Sequence, residues 1–115
     1  MTIQRILPAT RYSEAVIVNG LIFCAGMVPE TDSQDARLQT EDVLAQLDRL
    51  LAQCGSDKSK LVDATIYLAD MADYAAMNLV WDNWVVPGQA PARATVQARL
   101  AHPQWKIEIK IVAAQ

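Results

Sequence analysis

Ala15-Val16-Ile17-Val18-Asn19-Gly20-Leu21-Ile22-Phe23-Cys24 is the stretch on which the fold turns. Two apolar runs flank an Asn-Gly pair, the pair best suited to the positive φ that a type I′ turn needs at both central residues. The stretch therefore predicts a β-hairpin. Its strands are apolar at both parities, with Val16 and Val18 on one face and Ile17 on the other. A sheet that is apolar on both faces needs cover on both. Just upstream, Ile3-Gln4-Arg5-Ile6 predicts a short edge strand halted by Pro8. Just downstream, Ala25-Gly26 lets the backbone leave the strand, and Pro29 ends it.

Further along, residues 31–35 are polar and hold several candidate N-caps. Val43, Leu44, Leu47, Leu50 and Leu51 then recur at helical spacing until Gly55 offers a left-handed stop. The β-branched and aromatic run Leu61-Val62-Asp63-Ala64-Thr65-Ile66-Tyr67-Leu68 predicts a strand. Asp70 can cap a second helix over about residues 71–85, with Tyr74, Met77, Trp81 and Trp84 near one face. Pro87-Gly88 closes that helix, and strands over 93–98 and 106–112 follow, separated by a loop that contains Pro103. The order β-ββ-α-β-α-β-β fits a single α+β domain over residues 1–115, with a mixed sheet and two helices on one face. No third layer remains in the chain for the other face, so further copies of the subunit are expected to supply it.

Composition agrees with an oligomer. Of 115 residues, 52% are hydrophobic and only 20% are charged, a surplus of apolar surface that a small domain can hide in a subunit interface. Net charge is −3 and no Lys/Arg run is present, so a nucleic-acid partner is not expected. Met1-Thr2-Ile3-Gln4-Arg5 lacks the layout of a secretory signal, and no apolar stretch approaches a membrane span. Cys24 and Cys54 are too few for a disulfide framework, so the expectation is a cytoplasmic protein with two reduced, buried thiols. His102 is the single histidine, and neither a glycine-rich phosphate loop nor a Gly-x-Ser-x-Gly turn occurs. No metal and no cofactor are expected.

Chemistry concentrates near the C-terminus. Arg93 opens a strand in which Arg93, Thr95, Gln97 and Arg99 share one face, and Glu108 follows fifteen residues later in Lys106-Ile107-Glu108-Ile109-Lys110-Ile111. The guanidinium fork matches a carboxylate, and a nearby glutamate can move protons. Each residue also has a plainer reading: Arg93 as an interface ion pair, Lys106-Glu108-Lys110 as a solvated strand face. Asn78 can be an ordinary exposed helical residue, and Tyr12 a loop tyrosine packed on the sheet.

The chain nonetheless resembles the RidA/YjgF family of enamine/imine deaminases over nearly its whole length, with closest similarity to the YoaB-like branch. The resemblance rests on the Asn-Gly hairpin followed by Ala25-Gly26-Met27-Val28-Pro29, and on Asp63-Ala64-Thr65-Ile66-Tyr67-Leu68. It continues in Asp73-Tyr74-Ala75-Ala76-Met77-Asn78, Ala90-Pro91-Ala92-Arg93 and Lys106-Ile107-Glu108-Ile109-Lys110-Ile111-Val112-Ala113. It implies a chorismate-mutase-like fold assembled as a homotrimer, whose sheets enclose a central barrel and whose clefts lie between subunits. It also implies hydrolysis of 2-imino acids to 2-oxo acids and ammonia. Arg93 would clamp the substrate carboxylate, Glu108 would position or activate water, Asn78 and Tyr12 would shape the cleft, and Thr95 would lie beside the arginine. Ala25 and Thr95 stand where the RidA branch usually has serine and cysteine, which leaves the identity of the substrate open. Two other implied readings are a non-catalytic carboxylate-binding or chaperone-like trimer, and RNA cleavage or translation inhibition.

Overall fold

A computed structural model describes residues 1–115. The hairpin forms as read: β2 (Ser13–Val18) and β3 (Leu21–Cys24) pair antiparallel, with Asn19 and Gly20 at φ of 52° and 75°. β1 (Ile3–Pro8) pairs with β2 at the sheet edge and runs two residues past the predicted end. Pro8 is tolerated because an edge strand does not need every N–H.

Helix α1 (Ala36–Gln53) starts at Asp35, whose carboxylate accepts the N–H groups of Arg37 and Leu38. It stops where predicted. Gly55 adopts φ 76°, its N–H donates to the Ala52 carbonyl, and the Ser56 N–H reaches back to Leu51. β4 (Leu61–Leu68) follows. The second helix departs from expectation: residues 71–73 form a separate 3-10 turn capped by Asp70, and α2 spans Tyr74–Trp84. The last strands are β5 (Ala92–Gln97) and β6 (Ile107–Ala114), each displaced by one or two residues from the prediction.

The six strands form one sheet in the order β1-β2-β3-β6-β4-β5, antiparallel throughout except for the β4–β5 pair. The last strand in sequence thus occupies the middle of the sheet. Ile107, Ile109, Ile111 and Ala113 of β6 and Ala64, Ile66 and Leu68 of β4 join Leu44, Leu47 and Leu51 of α1 and Met77 and Trp81 of α2 in one core. The opposite face has no cover within the chain. By register, Val16, Leu21, Phe23, Val112, Ala94 and Val96 lie there beside Asp63, Thr65, Glu108 and Lys110. Phe23 and Val96 keep 40% and 41% of their surface exposed. The two-sided apolar character of the hairpin is therefore real, and one side lies bare in a single protomer.

Candidate functional site

Arg93 sits near the start of the edge strand β5 and points to the helix side, paired in register with buried Ala64. There it meets α2. One guanidinium nitrogen, Nη1, donates to Asn78 Oδ1 at 2.8 Å, and Nη2 donates to the Tyr74 hydroxyl at 3.3 Å. The cation also lies over the rings of Trp81 and Tyr74, with Cζ 5.4 and 5.9 Å from the two centroids. Tyr74, Asn78 and Trp81 stand at i, i+4 and i+7, one stripe of a helix. These partners are all neutral, so they orient the charge without cancelling it. A guanidinium has five N–H donors; Asn78 and Tyr74 take two, which leaves three for a ligand. Two residues on, along the same face, the Thr95 hydroxyl is buried without a hydrogen-bond partner. Such an orphan costs about 1–3 kcal/mol unless a ligand satisfies it.

Glu108 lies elsewhere. It pairs in register with Tyr67 on the uncovered face, while Ile107 and Ile109 on either side of it enter the core. Just past β3 the chain bends but stays beside the sheet. The Ala25 N–H donates to the Glu14 carbonyl at 2.8 Å, and Met27 exchanges two backbone hydrogen bonds with Ile109. This brings the Gly26 backbone against the Glu108 carboxylate, where any Cβ at residue 26 would overlap the carboxylate oxygen. Gly26 also lines a groove of about 330 Å³ with Tyr12, Glu14, Leu7 and Arg49. Gly26 thus links Glu108, Ala25 and Tyr12 into one neighbourhood.

Two buried glutamines of α1 hold that neighbourhood in place. Gln39 accepts the Lys106 N–H at 2.8 Å and donates to the carbonyls of Ser33 and Gln104, fixing the start of β6. Gln46, seven residues on, donates to the Val28 carbonyl at 2.9 Å and fixes the chain after Gly26.

The candidate residues therefore fall into two groups: Arg93, Asn78 and Thr95 on the helix side, and Glu108, Ala25 and Tyr12 around Gly26. Arg93 and Glu108 are two strands apart, roughly 10 Å across the sheet, and on opposite faces of it. They do not meet in one protomer. Gly26, Tyr74, Trp81, Gln39 and Gln46 were not singled out as site residues from the sequence. The i, i+4, i+7 spacing of Tyr74, Asn78 and Trp81 was visible there, but it read as part of an apolar stripe.

Other features play structural parts. Burial pushes the Cys24 thiol up to about 12, with Cys54 adding to the effect and Lys110 opposing it. Burial also raises Cys54. Neither thiol is poised as a nucleophile. The Trp84 indole N–H is shared between both oxygens of Asp48 at 3.1 Å, with the Lys58 ammonium over its ring. These residues line a separate groove of about 370 Å³ between the helices, which holds none of the candidates. No three His, Cys, Asp or Glu side chains are grouped to hold a metal ion, and no helix is long and apolar enough to cross a membrane.

Comparison with known proteins decides the family. Residues 2–115 match the family model described as Endoribonuclease L-PSP. The RutC family protein YoaB of Escherichia coli K12 is 54% identical over 114 residues, covering 99% of each chain. The chain belongs to the RidA/YjgF family. A YjgF-family protein of Neisseria meningitidis superposes with a TM-score of 0.98 at 60% identity, covering 100% of this chain and 96% of that one. The α+β architecture is thus the family's own, six mixed strands with two helices. A more distant relative, Reactive Intermediate Deaminase A of Arabidopsis thaliana, is 37% identical over 108 residues, which cover 89% of this chain and 57% of that protein.

Proposed function

We propose that this chain is a cofactor-independent deaminase that hydrolyses small 2-imino acids to 2-oxo acids and ammonia, in sites shared between subunits of a homotrimer. The observation that carries this reading is Arg93: a half-buried cation, held by neutral partners, with donors to spare. Such a group suits a small carboxylate. A relative that bears the name of a reactive intermediate deaminase supports the chemistry.

In the reaction the substrate carboxylate rests on Arg93, which fixes the C=N carbon in place. Water adds to that carbon to form a carbinolamine. The Glu108 carboxylate takes the proton lost by the water and returns it to the nitrogen, giving the carbinolamine's amino group. It then carries the carbinolamine hydroxyl proton to that amine, which departs as ammonia as the C–N bond breaks and the carbonyl forms. Atoms balance with water as the only co-reactant. Imines already hydrolyse in water, so orientation and one proton carrier suffice.

For both residues to act on one molecule, Arg93 of one protomer must meet Glu108 of the next. The bare sheet face offers the surface for such an assembly. A head-to-tail contact that closes into a ring leaves no site unpaired, and the family resemblance implies a ring of three. The same site is a poor fit to RNA, since it offers one cation in a chain of net charge −3, whereas a phosphate backbone calls for several. We propose a cytoplasmic setting for the protein, in keeping with its two free cysteines, Cys24 and Cys54.

Complementation tests the reading. Arg93→Ala and Glu108→Gln are each expected to lose most activity toward imino acids generated in situ, followed as ammonia release. Unfolding the two together and refolding them as mixed oligomers should restore roughly a quarter of wild-type activity, because a quarter of random interfaces carry both native residues. No recovery from the mixture, with oligomers shown to have exchanged, would rule out a shared site.

A further inference from the structure

The Tyr74 hydroxyl accepts a hydrogen bond from Arg93 Nη2, and nothing in the chain accepts the proton of that hydroxyl. A phenol that accepts through its oxygen keeps one O–H to give. Its position is set by the fold: Tyr74 is the first residue of α2, where the preceding 3-10 turn, capped by Asp70, hands the chain to the helix. One turn further on, Asn78 takes the other terminal nitrogen of Arg93. Trp81 closes the far side of the guanidinium and is 4% exposed, whereas Tyr74 is 41% exposed and stands at the open rim. A molecule approaching the free N–H groups of Arg93 therefore passes the phenol.

We propose that Tyr74 is a second carboxylate-binding residue: it takes one N–H from Arg93 and gives its own O–H to the carboxylate that Arg93 holds. The inference rests on the reading of Arg93 as a carboxylate anchor and adds a neutral donor to it. A monoanion such as a 2-oxo or 2-imino acid is then bound by one positive charge and one hydroxyl. The phenol discriminates acid from amide, because a hydrogen bond to a charged oxygen is stronger than one to a neutral oxygen.

Tyr74→Phe keeps the ring over Arg93 and removes only the hydroxyl. Calorimetric titration of the whole oligomer with 2-oxobutanoate and with 2-oxobutanamide separates the possibilities. The expected result is a Kd for the acid weakened roughly tenfold, with the amide changed less than twofold. A second measurement distinguishes a donor to the ligand from a mere support for Arg93. Site-specific replacement of Tyr74 by 3-fluorotyrosine, at a pH where the phenol stays protonated, makes the hydroxyl a better donor and a poorer acceptor. The acid should then bind more tightly. Weaker binding would overturn the inference, as would equal losses for acid and amide in Tyr74→Phe. Unchanged acid binding in Tyr74→Phe, alongside its loss in Arg93→Ala, would overturn this inference alone. Unchanged binding in both variants would overturn the anchor reading as well.

Discussion

The surroundings of Arg93 and of Glu108 are built in opposite ways. Around Arg93 the work is done by side chains: Tyr74, Asn78 and Trp81 on one stripe of α2 touch the guanidinium from three directions. Around Glu108 it is done by backbone. Gly26 leaves room for the carboxylate, and the glutamines of α1 bind main-chain groups on either side rather than the acid itself. The contrast follows from position. A long side chain at a sheet edge has many conformations to lose and needs partners to fix it, whereas a glutamate on a central strand is already held by the ladder. The two lie on opposite faces of one protomer, so a site that used both would need two protomers.

The comparison can be broken at either end. The largest effect is expected at the cation: Arg93→Ala should lower kcat/KM for an imino acid on the order of a thousandfold while leaving the oligomer folded. Near-wild-type turnover in that variant would leave the guanidinium without a role. At the other end, Gly26→Ala puts a methyl group where the Glu108 carboxylate sits. Turnover is expected to fall roughly a hundredfold with far smaller losses in 2-oxobutanoate binding. Comparable losses in both would place Gly26 in binding rather than in proton transfer.

A subtler change gives the cation a charged partner. In Asn78→Asp a carboxylate would replace the amide oxygen that Arg93 now touches at 2.8 Å. Binding of 2-oxobutanoate should weaken about tenfold, while thermal stability holds or rises. Tighter binding would contradict the view that Arg93 is kept uncancelled for a ligand. Gln39→Leu should instead cost about 2–3 kcal/mol of stability in chemical denaturation, since it leaves the Lys106 N–H at the start of β6 and the carbonyls of Gln104 and Ser33 without their partner.

The smallest effect concerns the thiols beneath the Glu108 half. With Cys24 raised from 9.0 to about 12, the folded state binds a proton that the unfolded state releases between those values. Stability from this group is therefore intact below pH 9 and lost as pH climbs toward 12. At pH 8 both cysteines should resist alkylation in the native protein and react on unfolding, as mass spectrometry can follow. Rapid native labelling would mean that burial does not protect them.

Much of this was open to reading along the chain. The Asn19-Gly20 turn, the Gly55 stop and the alternation of β6 are local patterns, fixed by φ preferences and by side-chain period. The family motifs likewise pointed to Arg93 and Glu108. Tyr74 and Trp81 escaped notice as site residues because aromatic groups on an apolar stripe look like core. Gly26 read as a place to bend, since the carboxylate that crowds it comes from a strand 82 residues away.

The sequence by itself determined most of the elements and the class of fold, because each depends on neighbours within a few positions, and the family resemblance singled out Arg93 and Glu108 as candidates. Only the tertiary structure decided that β6 lies between β3 and β4, and that Arg93 and Glu108 face away from each other. Strand order is a contest among long-range pairings, and the face a residue takes follows from the register that wins. Both are properties of the whole sheet, which no local stretch of sequence contains.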